Sequence, residues 1–101
     1  LKHGTIALVE EGTPVIVLST PETRRLVLSN AVEMKSRGAF VIGIDSAPNE
    51  AYDYSFVLPD CGIANPLLMI IPVQLLAYHL AVCRGLDPDK PRNLAKSVTV
   101  K

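Results

Sequence analysis

Neither sign of charge predominates in this sequence: ten lysines and arginines balance ten aspartates and glutamates over 101 residues. There is no basic run and no patch of basic residues interleaved with aromatics, which argues against a nucleic-acid partner. Cysteine is scarce. Cys61 and Cys83 are the two present, and they form neither a CxxC nor a metal-ligand spacing, so no metal site is expected and the thiols read as reduced and intracellular. No signal-peptide pattern occurs, which points to a cytoplasmic protein. No glycine-rich loop is available to cradle a phosphate. The chain also lacks an initiator methionine, opening Leu1-Lys2-His3-Gly4, and reads as a piece of a longer polypeptide.

What is present is a globular composition, 49% hydrophobic and 20% charged, in a length that suits one domain. After a lead-in containing the apolar knot Ile6–Val9, Pro14–Leu18 forms a continuous apolar run. Such a run marks a strand covered on both faces, as in parallel sheets. Thr20 is placed to cap a helix, with Pro21 at its first position and Glu22 in its first turn, where the helix dipole favours an acid. That helix is expected to reach about Arg37, with Leu26, Val27, Ala31 and Met34 on its apolar face and Gly38 ending it. Glu22, Arg24, Arg25, Glu33, Lys35 and Arg37 read as its solvated side. Phe40–Ile44 is a second buried strand with Asp45 at its carboxyl end, so strand, helix and strand make a parallel βαβ unit. Ser46–Asp53 is turn-rich, and Tyr54–Leu58 reads as a third strand reached by a loop.

Asn65 and Pro66 open a second helix, running to Arg84, that is apolar around nearly its whole circumference. A helix of that kind is expected to be buried on all sides. Its length approaches a membrane span, but Pro72, Gln74, Tyr78 and His79 interrupt it, and no membrane insertion is expected. Pro72 should kink it. Three strands and two helices cannot cover such a helix, so the pattern is that of an α/β fold cut in half: a partial three-layer parallel sheet flanked by helices, residues 1–90, followed by a tail, 91–101. On the residues alone, Lys96 in that tail reads as a solvated lysine near a chain end, His3 as a surface histidine, His79 as a core or interface residue, and Cys61 and Cys83 as small buried or loop residues. Ser19 and Thr20 lie at a strand's carboxyl end, where α/β folds bind ligands, although capping accounts for Thr20.

Three blocks then carry a resemblance: Leu1-Lys2-His3-Gly4-Thr5-Ile6-Ala7-Leu8, Pro72-Val73-Gln74-Leu75-Leu76-Ala77-Tyr78-His79, and Pro91-Arg92-Asn93-Leu94-Ala95-Lys96-Ser97-Val98-Thr99-Val100. In order and separation they resemble the isomerase domain of the glutamine:fructose-6-phosphate amidotransferase (glucosamine-6-phosphate synthase) family. The likeness extends over essentially the whole chain and corresponds to the distal half of the second sugar-isomerase (SIS) subdomain plus the C-terminal tail. It implies conversion of fructose 6-phosphate and glutamine into glucosamine 6-phosphate and glutamate, without a cofactor, in a homodimer. It further implies that Lys96 forms a Schiff base with the open-chain ketone, that His3 aids ring opening by proton transfer across a dimer interface, and that the backbone at Ala95 lines the sugar pocket. The residue types suit that chemistry: an amine whose pKa burial can lower, and an imidazole that titrates near neutrality. Thr5 stands where many members carry proline, which changes backbone stiffness just after His3. The family's phosphate-binding Ser/Thr loops, its enolising glutamate, a further pocket lysine and the glutaminase nucleophile fall outside these residues, so the chain by itself is expected to be inactive. Two other readings remain open: a non-catalytic sugar-phosphate-binding SIS module, and a deglycase or isomerase relative without a glutaminase domain.

Overall fold

A computed structural model describes residues 4–90 and contains, in order, β1 (Pro14–Leu18), α1 (Arg24–Ser36), β2 (Phe40–Asp45), β3 (Tyr54–Val57) and α2 (Asn65–Cys83), with single 3-10 turns at Thr5–Leu8 and Gly62–Ala64. The three strands form one parallel sheet in the order β1-β2-β3. Pro14 through Leu18 pair with Phe40 through Ile44, and Ile42 through Asp45 with Tyr54 through Val57. Proline is tolerated at the start of β1, where its missing N–H breaks no internal ladder position. The expected βαβ unit and the loop-linked third strand are both present. The chain falls into two compact units, Leu1–Met69 and Ile70–Lys101, with α2 running through the division.

In the first unit, alternation along the strands sends Val15, Val17, Val41 and Gly43 to one face. There Val17 and Val41 pack with Ala31 and Met34 of α1, with Ala39 and with Tyr52, flanked by Val9, Val15, Val27, Leu28 and Ala51. The opposite face carries Ile16, Leu18, Phe40, Tyr54 and Phe56, all of them exposed. Among the described residues the sheet is thus covered mainly on one face, in keeping with a fold cut in half. There α1 supplies the cover, while on the other side Ile44 is buried and Ile16, Leu18, Phe40, Tyr54 and Phe56 stay exposed.

Parallel neighbours ordinarily need a crossover of about a dozen residues or more. Here residues 46–53 make the return from β2 to β3 without a helix. They manage it by lying against the sheet. Tyr52 sits directly over Gly43, where even a Cβ would overlap the ring. Asp53 then pairs with Val41 twice, its N–H donating to the Val41 carbonyl at 2.8 Å and its carboxylate accepting the Val41 N–H at 2.7 Å. Lys35 of α1 reaches the same carboxylate at 3.3 Å. The loop thus occupies the place of a crossover helix, and Gly43 is the residue that makes room for it.

Helix α1 begins later than expected. Pro21–Thr23 form a turn, and the helix proper starts at Arg24, so Glu22 lies ahead of its first turn. The capping chemistry assigned to Thr20 is nevertheless present: the Thr23 N–H donates to Thr20 Oγ1 at 3.3 Å, and the Thr20 N–H donates to Thr23 Oγ1 at 3.1 Å. Reciprocal bonds of this kind are a capping box with threonine in the usual Glu position. At the other end Gly38 adopts φ 92°. The Gly38 N–H donates to the Lys35 carbonyl at 3.0 Å and the Ala39 N–H to the Met34 carbonyl at 3.2 Å. That is a Schellman termination, and its usual apolar contact is made by Ala39 and Met34, both in the core.

Asn65 does not cap α2 as expected. Its side chain turns back, accepting the Cys61 N–H at 2.7 Å and donating to Asp60 at 2.9 Å, while Asp60 accepts the Gly62 N–H at 3.0 Å. Asp60, five residues ahead of the helix start, thus caps the 3-10 turn that leads into α2. The helix continues through Pro72. In the second unit it ends in another Schellman pair, Gly85 N–H to the Val82 carbonyl at 3.0 Å and Leu86 N–H to the Ala81 carbonyl at 2.8 Å, with Gly85 at φ 70°. Three strands and two helices leave α2 uncovered, as expected of a fold cut in half: Ile70, Ile71, Leu75, Leu76, Tyr78, Leu80 and Val82 are exposed among the described residues. With a mean hydropathy of 1.8, Gly62–Cys83 is long and apolar enough to cross a membrane by length and composition alone.

Candidate functional site

The three residues singled out for chemistry, His3, Ala95 and Lys96, lie outside the described residues, as does the rest of the 91–101 tail. His79, read from sequence as a core or interface residue, is exposed and meets the ring of Tyr78 edge-on at 5.4 Å. Cys83 stands one helical turn after it. Both cysteines are free and exposed. Among the described residues no three His, Cys, Asp or Glu side chains are grouped so as to hold a metal ion.

Polar chemistry in the described region concentrates at the carboxyl ends of β1 and β2, the edge at which open α/β sheets receive ligands. Asp45, the last residue of β2, is 1% exposed. Burying an unpaired carboxylate there would be prohibitive, and four donors compensate it. Arg24 gives two, Nη2 to Oδ1 at 2.7 Å and Nε shared between the carboxylate oxygens at 3.2 and 3.3 Å. The Tyr52 hydroxyl donates to Oδ2 at 2.9 Å and the Ser46 N–H to Oδ1 at 2.7 Å. Arg24 Nη2 also donates to Ser46 Oγ at 2.7 Å. Burial works against the charged form of Asp45, but the bonds from Arg24, Tyr52 and Ser46 outweigh it and leave the carboxyl below its ordinary range. The Arg24 guanidinium is raised in turn, chiefly by its bond to Asp45. Burial pushes the Tyr52 phenol up; the neighbouring Ser19 hydroxyl opposes this and the hydrogen bond to Asp45 adds to it.

Ser19 completes the group. It is fully buried, its N–H donates to the Ile44 carbonyl at 2.9 Å, and its hydroxyl lies beside Tyr52 without a hydrogen-bond partner among the described residues. The cluster fastens three segments together: the start of α1, the end of β2 and the β2–β3 loop. Its role is to hold the strand ends in register, since its donors and acceptors face one another. Sequence reading placed Arg24 on a solvated helix face and gave Tyr52 no role. The missed signal was Asp45 itself, a carboxylate closing an apolar strand and therefore in need of a cation from the helix that starts at the same edge of the sheet.

A parallel sheet with one helix crossover and one loop crossover defines an α/β domain. Residues 1–84 match the SIS domain family model, and the chain belongs to that family. Over its whole length the chain is also similar to glutamine–fructose-6-phosphate aminotransferases (isomerizing). The similarity is 53% identity with that of Pyrobaculum aerophilum, covering 99% of this chain and 17% of the relative. With that of Halalkalibacterium halodurans it is 52%, covering 100% and 17%. A solved structure, the C-terminal domain of glucosamine-fructose-6-phosphate aminotransferase from Francisella tularensis, superimposes with a TM-score of 0.72 at 35% identity over 88% of this chain and 27% of that one. The chain thus spans about a sixth of the length of these curated relatives.

Proposed function

We propose that these residues are the C-terminal part of the isomerase domain of a glutamine–fructose-6-phosphate aminotransferase, in which fructose 6-phosphate and glutamine yield glucosamine 6-phosphate and glutamate. The observation that carries the reading is identity of about half with enzymes of that name across the entire chain, including the 91–101 tail. In this reading Lys96 attacks the open-chain ketone as the free amine, losing water to form an imine, and His3 shuttles the proton that opens the sugar ring. Ala95 presents backbone to the sugar. None of this requires a metal or a cofactor. The phosphate-binding and enolising groups belong to preceding residues of the longer polypeptide, so the 101 residues on their own do not turn over substrate.

The apolar surface of α2 fits the same reading. The SIS match includes residues 65–83, and a helix of this composition inside a three-layer domain is covered by neighbouring elements. A homodimer and a cytoplasmic location follow as parts of the proposal, without a nucleic-acid or membrane partner. The test is to express the polypeptide encoded with its preceding sequence and assay glucosamine 6-phosphate formation. Activity in the longer protein, lost on Lys96→Ala and strongly reduced by His3→Ala, supports the proposal. Full activity in Lys96→Ala would sink it.

A further inference from the structure

We draw no further inference here: the strongest candidate, the buried Arg24–Asp45–Tyr52 cluster with the unpartnered Ser19 hydroxyl at the carboxyl ends of β1 and β2, directs its donors and acceptors at itself, and nothing in the structure shows a ligand or partner reaching the enclosed Ser19 oxygen.

Discussion

Asp45 is the one charged side chain among the described residues that is fully enclosed, and its surroundings make an asymmetric prediction. The Arg24 side chain remains 32% exposed against 2% for that of Asp45. Deleting the carboxylate leaves a guanidinium that water can reach, whereas deleting the guanidinium strands a buried anion. In the longer protein, Arg24→Met should therefore cost about 3 kcal/mol of domain stability and Asp45→Asn about 1–2 kcal/mol, by urea unfolding at neutral pH. Equal costs would contradict this account of the cluster. The pH dependence has a definite sign. Because the folded pKa of Asp45 is depressed, its contribution is fully present above the unfolded value of about 4 and is lost as pH falls through the folded value. The stability gap between wild type and Asp45→Asn should hold from neutral pH down to about 5 and close at more acid pH. Gly43 makes a second prediction at this scale. A methyl there would displace the Tyr52 ring, so Gly43→Ala should cost about 2 kcal/mol in the intact protein. The penalty should shrink when Tyr52 is first reduced to Leu, a coupling readable from a double-mutant cycle.

At the level of elements, the two helix ends separate two physical causes. Gly38 and Gly85 both close Schellman motifs with positive φ, but a Cβ at Gly38 would press on the Glu11 backbone at 2.9 Å, while at Gly85 it would meet no atom of the described residues within 4 Å. Gly85→Ala should cost about 1 kcal/mol, the backbone strain alone, and Gly38→Ala measurably more. Equal melting-temperature shifts would remove the argument for close approach. These elements also show what could be read in advance. Apolar runs of strand length at Pro14–Leu18 and Phe40–Ile44, and the glycine after Arg37, placed β1, β2 and the end of α1 to within a residue. The start of α1 was harder, falling at Arg24 instead of Pro21, whereas α2 starts at Asn65, within a residue of its expected first position, with a different cap. At Thr20–Thr23 and Asp60–Asn65 the cap is made through an intervening turn, so the capping residue is separated from the first helical residue, a displacement the sequence pattern does not encode. The ion pairs Arg24–Asp45 and Lys35–Asp53 join residues far apart in sequence, and only the fold brings them together.

At the scale of the whole molecule, the exposed apolar residues among those described include Ile16, Leu18, Phe40, Tyr54 and Phe56 on one face of the sheet and much of α2. Apolar runs longer than three strands and two helices can cover made this exposure legible in the sequence, because such runs report what a completed domain buries. Contiguous apolar surface drives association in water, so the isolated chain should sediment as dimers or larger species at micromolar concentration; a monodisperse monomer would contradict this. The proposed site is the part of the account least dependent on packing, since it was read from the block around Lys96 and rests on that residue's amine. Its most direct test is to treat the longer protein with fructose 6-phosphate and borohydride and map the reduced adduct by mass spectrometry. The account predicts a single stable sugar-phosphate adduct on Lys96, absent in Lys96→Ala. An adduct that forms on another lysine, with Lys96 unmodified, would contradict it.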